Sequence, residues 1–260
     1  LMVTELCRRY PMGLRTAFLA TDYTCSPTCS DLRLDRYFVP PGLTEDFLRA
    51  GLPRERILET GIPIRSAFQT AGDKAAAKAA FGVDPRHRHL LVMCGSMGCG
   101  PMEELVRAIG LGLPEDCELT VVCGTNHSLY RHLTQAHEGQ NRIHVQGYVE
   151  NMGELMDGAD LYLTKPGGIS VTEAACKGLP MVLVNAVAGC EDDNLRYFTG
   201  LGAAVTAGTT EELAALCLSL LEDPRILAAM AARYAPMVRP RAGEAICDAL
   251  AAVVPAQPRK

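Results

Sequence analysis

Between residues 86 and 206, short apolar runs alternate with stretches of helical spacing, and this alternation restricts the fold more than any other feature of the chain. The strand-like runs fall at 89–94 (HLLVMC), 118–123 (ELTVVC), 142–146 (RIHVQ), 160–164, 181–184 and 203–206. Helical patterns occupy 128–137, 152–157, 193–199 and, rich in Ala and Leu, much of 210–254. Strands that alternate with helices predict a parallel, doubly wound α/β sheet covered on both faces. A fainter version of the pattern runs through residues 16–20, 37–39, 44–50 and 57–59, followed by a punctuated stretch, GIPIRSAF, at 61–68 that reads as a linker. The expected domains are therefore 1–65, 66–240 and a helical tail at 241–260.

Composition narrows the partners. At 260 residues and 48% hydrophobic the chain can bury a full core, and a net charge of -5 argues against a nucleic-acid binder. Residues 1–65 are the less acidic part, with 9 Lys/Arg against 8 Asp/Glu, compared with 16 against 22 in the remainder. The cysteine count is odd, 11, with no CxxC pair and no zinc spacing to histidine. Several cysteines sit in apolar runs, which fits reduced core residues and a cytoplasmic protein. No run has the length of a membrane span and no signal peptide is evident. The sequence begins with Leu1 rather than a methionine, so a fragment of a longer chain is the expectation.

Ligands of open α/β sheets bind beyond the carboxyl ends of the strands, so the loops there are the candidate sites. CGSMGCGP at 94–101 places Gly95, Ser96 and Gly98 between a strand and a helix, where bare backbone N–H groups suit a phosphate; a tight turn is the plain alternative. TKPGGISVTE at 164–173 carries an S-x-x-E capping box, Ser170 to Glu173, which is enough to start a helix. Capping does not explain Lys165, Pro166, Gly167 and Gly168, which suit an anion site. The acids and amide of GCEDDN at 189–194 either complement a helix dipole or bond sugar hydroxyls through Asp192 and Asn194. Tyr148, in a Gly-Tyr-Val turn, offers a ring for a flat base. Phosphate, hydroxyl and base partners on one sheet edge describe a nucleotide-sugar pocket.

The stretches at 91–101, 121–126 (VVCGTN), 147–185 and 188–194, with TDYTCSP at 21–27 and TGIPIR at 60–65, resemble the monogalactosyldiacylglycerol synthase family. That family includes processive diacylglycerol glucosyltransferases, falls in glycosyltransferase family 28, and is related to the peptidoglycan N-acetylglucosaminyltransferase. The resemblance covers residues 15 to 210 in order. It implies a GT-B fold, with a complete C-terminal domain and a partial N-terminal one. It also implies a UDP-sugar donor held near Arg65, Gly95, Ser96, Gly98, Tyr148, Lys165, Pro166, Gly167, Gly168 and Ser170, with Glu173 on the ribose and Asp192 and Asn194 toward the sugar. Asp22 and Tyr23 would line the cleft from the N-terminal side. The chain departs from the family at Cys94, usually a glycine, and at Cys190, often a glutamine. It has no counterpart of the family's N-terminal glycine-rich, histidine-bearing motif, which leaves Asp22 as the candidate base.

The activity so implied is metal-independent, inverting hexosyl transfer from UDP-sugar to a lipid such as diacylglycerol, with no cofactor, at a membrane surface. Two alternatives stand beside it: a UDP or UDP-sugar binder without transfer, and a transferase acting on an undecaprenyl-linked precursor.

Overall fold

The computed structural model describes residues 2–10, 13–93, 102–184 and 189–252. Two parallel sheets form its frame. After helix α1 (Met2–Arg9), the smaller sheet takes β1 (Ala17–Leu19), β2 (Arg36–Val39) and β3 (Ile57–Glu59) in that spatial order, with α2 (Thr44–Arg49) between the last two. Helix α3 (Lys74–Ala80), capped by the Asp73 side chain, precedes the larger sheet. Its strands are β4 (Arg88–Met93), β5 (Cys117–Val122), β6 (Ile143–Gln146), β7 (Leu161–Thr164), β8 (Met181–Leu183) and β9 (Ala204–Thr206). Between them run α4 (Met102–Gly112), α5 (His127–Ala136), α6 (Met152–Gly158), α7 (Gly168–Cys176) and α8 (Cys190–Gly200). Helices α9 (Thr210–Glu222), α10 (Pro224–Ala232) and α11 (Ala242–Ala251) follow.

The apolar runs form strands because both faces of the larger sheet are covered, so consecutive residues are buried on opposite sides. Leu90 and Val92 of β4 join Leu161 and Leu163 of β7 and Val182 of β8 in one cluster under α4, α5 and α9. Leu91, Tyr162, Met181 and Leu183 point the other way, into a second cluster. That second cluster continues without a break into the smaller sheet, through Ile62 and Tyr23 to Tyr37, Val39 and Phe47. The two sheets therefore share one apolar core. The segment 61–68 is packed rather than loose: Ile62 and Phe68 are buried, and Gly61 adopts a left-handed φ of 83° where an added Cβ would lie 2.8 Å from Arg239 Cβ. The expected linker is thus a packed one.

Strand order in the larger sheet is β6-β5-β4-β7-β8-β9, so the chain runs outward from β4 to one edge and returns to the other side of β4. The reversal lies between β4 and β7. Open sheets of this kind take their ligands in a crevice at such a reversal, beyond the carboxyl ends of the strands. The register pairs Met93 with Thr164, so these two strands end side by side. Among the described residues no helix is long and apolar enough to cross a membrane.

Candidate functional site

The chain leaves β7 at Thr164, whose hydroxyl donates to the Met93 carbonyl at 2.7 Å and stitches the two central strands together. A tight turn follows, with the Gly167 N–H on the Lys165 carbonyl at 2.8 Å, and α7 starts at Gly168. Gly167, at the N-cap position, supplies no side-chain cap. The first N–H groups of α7 thus face the crevice with the positive end of the helix dipole and no competing carboxylate of their own helix.

The expected capping box is not formed. The helix begins two residues before Ser170, which lies inside the first turn with its hydroxyl 3.2 Å from the Tyr162 hydroxyl. Glu173 faces inward instead of back along the helix. Its side chain is 8% exposed, and Oε1 accepts from Arg65 Nε at 3.4 Å and Nη2 at 3.3 Å. Both contacts are long for a charge-assisted pair. Burial raises the Glu173 pKa, and the charge and hydrogen bonds of Arg65 offset this only in part. Arg65 lies over the Phe68 ring at 4.8 Å, a cation–π contact that supports its guanidinium beside Glu173. An under-satisfied buried carboxylate with an exposed guanidinium beside it is ready to accept from a pair of hydroxyls.

Lys165 arches over the turn: its ammonium donates to Glu191 Oε1 at 2.6 Å, and its Cε lies 3.6 Å from where a Cβ on Gly167 would be. Glu191, not singled out from the sequence, therefore pairs with that lysine and holds it over the turn. Asp192 accepts from the Gly189 N–H at 3.4 Å at the start of α8. Tyr148 stands beyond β6 with 70% of its surface exposed, on the same sheet edge. Gly95, Ser96 and Gly98 lie outside the described residues.

Two expectations change, and Gly168 has a further constraint: an added Cβ there would sit 1.9 Å from the Thr21 carbonyl oxygen and 2.7 Å from Asp22 Oδ1, so the glycine is required by the approach of the smaller sheet's loop. Asn194, expected to face a sugar, is fully buried. Its Nδ2 donates to Asp22 Oδ1 and to the Pro166 carbonyl, each at 2.8 Å, and its Oδ1 accepts from the Tyr23 N–H at 2.6 Å. Tyr23, expected to line the cleft, is buried between the sheets, hydroxyl 2.9 Å from Thr172 Oγ1 and ring stacked on Tyr197 at 4.6 Å. Asp22 is half-buried at the start of α7, its Oδ2 accepting from the Thr21 hydroxyl at 3.2 Å. Thr172, Tyr197 and Glu191 were missed because their partners lie far away in sequence and no local spacing marks them.

Comparison with known proteins agrees with this fold. The model of the family "Glycosyl transferases group 1" matches residues 103–237. A processive diacylglycerol beta-glucosyltransferase from Bacillus mycoides (strain KBAB4) is 32% identical over 259 residues, 98% of this chain and 66% of that protein. The chain thus spans just under two thirds of that relative's length. Among solved structures, Acinetobacter baumannii MurG superposes with a TM-score of 0.67 at 17% identity, over 95% of this chain and 69% of MurG. The S. aureus MnaA-UDP co-structure gives 0.67 at 18% identity, over 87% and 64% respectively. The architecture they share with this chain is the GT-B glycosyltransferase fold. Because the matched family model runs over more than half of the sequence, from the second residue of α4 to beyond α10, the chain belongs to the glycosyl transferases of group 1.

Proposed function

We propose that the crevice between β4 and β7 holds a UDP-sugar and that the chain carries the donor side of a transferase acting on a lipid hydroxyl such as that of diacylglycerol. The observation that carries the reading is the uncapped start of α7 at the strand-order reversal, with Glu173 and Arg65 one turn further on. In this reading the diphosphate lies on the N–H groups of the 167–170 turn, with Lys165 and Arg65 as the nearby cations. Glu173 accepts from the ribose hydroxyls, Tyr148 flanks the base, and Asp192 lies toward the sugar. The acceptor oxygen attacks the anomeric carbon as the bond from that carbon to the phosphate oxygen breaks. UDP leaves with the electron pair, and the hydroxyl proton passes to Asp22. Attack opposite the leaving group inverts the configuration and gives a β-linked product. The charge that develops on the diphosphate is met by oriented N–H groups and cations, so the chemistry calls for no metal.

The similarity to diacylglycerol glucosyltransferases supports a lipid acceptor, and with it a cytoplasmic enzyme in peripheral contact with a membrane. Met2, Leu6, Tyr10 and Leu14, exposed together at the N-terminal end beside Arg9 and Arg15, suit such contact. One specific fact favours a second reading, UDP-sugar binding without transfer: the chain spans 66% of the relative's length. Incubation with labelled UDP-hexose and vesicles containing diacylglycerol separates the two. Label in the lipid extract, undiminished by a chelator, is the expected result; donor binding without lipid label would establish the second reading.

A further inference from the structure

A fully buried amide must satisfy two N–H donors and a carbonyl inside the protein, or pay the cost of desolvating them. Asn194 does so with partners from three segments that are otherwise separate. The amide nitrogen bonds Asp22 Oδ1 and the Pro166 carbonyl at 2.8 Å each, and the amide oxygen takes the Tyr23 N–H at 2.6 Å. Asp22 and Tyr23 follow β1 of the smaller sheet, Pro166 belongs to the turn before α7, and Asn194 itself lies on α8. The Thr21 carbonyl packs so closely on Gly168 that the 21–23 loop is already seated on that turn. No other side chain of similar size offers two donors and an acceptor in one plane: aspartate lacks the donors, and glutamine is longer by one methylene.

We propose that Asn194 is a positioning residue. It holds the Asp22 carboxylate and the Pro166 carbonyl in one frame, so that the donor turn of the larger sheet and the carboxylate supplied by the smaller sheet keep a fixed mutual geometry. The inference rests on the reading that the 165–170 turn takes the diphosphate of UDP, and it gives Asn194 no direct contact with the sugar. Asn194→Asp sets a carboxylate against both Asp22 and the Pro166 carbonyl. The exchanged pair, Asp22→Asn with Asn194→Asp, restores the local charge and an amide-to-carboxylate bond in the opposite direction.

The test is calorimetric titration with UDP of wild type, D22N, N194D and the double variant, together with their thermal unfolding midpoints. The expected result is a loss of affinity of about tenfold in N194D, with at least half of that loss, on a logarithmic scale, recovered in the double variant. D22N alone binds UDP at least as tightly as wild type, since it removes a negative charge beside the turn. A uniform structural defect gives no such recovery, and a double variant no better than N194D overturns the proposal. If N194D does not fold but the double variant does, the coupling is supported. If wild type takes up no UDP, the donor reading fails, and the midpoints then judge the inference by themselves: recovery in the double variant supports the tie between Asp22 and Asn194, and additive losses overturn it.

Discussion

Glu173 carries the clearest electrostatic signature in the site. Its pKa is raised because burial disfavours the carboxylate, and the long bonds from Arg65 do not fully offset that cost. The protein therefore takes up a proton at Glu173 at a higher pH than an ordinary glutamate would. Burial of the charged form weighs against the fold above that pH, and the weight lifts as pH falls through it. Binding of ribose hydroxyls needs the ionised form, so affinity for UDP moves the other way and drops as pH falls through the raised value. Glu173→Gln is expected to weaken UDP binding about ten- to hundredfold, in line with about 1.5–3 kcal/mol for hydrogen bonds to a charged group. It should also remove this part of the pH dependence; calorimetric titrations at several pH values check both. Glu173 was legible in the sequence as a residue of interest, but the bond first assigned to it was wrong. The S-x-x-E spacing is a local pattern that the structure does not use, whereas α7 starts at Gly168, against which Thr21, 147 residues away, is packed. Its real partner, Arg65, lies 108 residues away, beyond the reach of any spacing rule.

At the scale of elements, the turn between β7 and α7 has two adjacent glycines with different duties. A Cβ on Gly168 would overlap the Thr21 carbonyl at 1.9 Å, while one on Gly167 would make ordinary contacts, with Lys165 Cε at 3.6 Å and Glu191 Oε1 at 3.9 Å. Gly168→Ala is therefore expected to destabilise by about 1–3 kcal/mol or more, as overpacking of a rigid backbone contact does. Gly167→Ala should stay within about 0.5 kcal/mol, as is usual where no close contact is made. Urea unfolding of both variants checks the contrast, and equal effects would contradict it. The strands of the larger sheet were legible because burial on both faces writes them as continuous apolar runs. The end of the linker was not legible, since Gly61 and Pro63 read as punctuation while Ile62 and Phe68 carry the packing.

For the whole molecule, the decisive fact is that the two sheets share one apolar core and are pinned at the candidate site by Asn194, Tyr23 and Gly168. The parallel, doubly wound sheet and the placing of ligand loops at its carboxyl edge followed from the strand–helix alternation together with general rules for open sheets; the strand order itself came from the structure. The pinning did not, because it joins residues up to 172 positions apart. The account places one UDP per chain in that crevice, held by the buried carboxylate and the guanidinium beside it. Its most direct test is calorimetric titration of the 260-residue chain with UDP, beside the Arg65→Ala/Glu173→Gln double variant. The predicted result is saturable binding of one UDP per wild-type chain and its loss in the double variant. Absence of binding by the folded wild type, or equal binding by both proteins, would contradict the account.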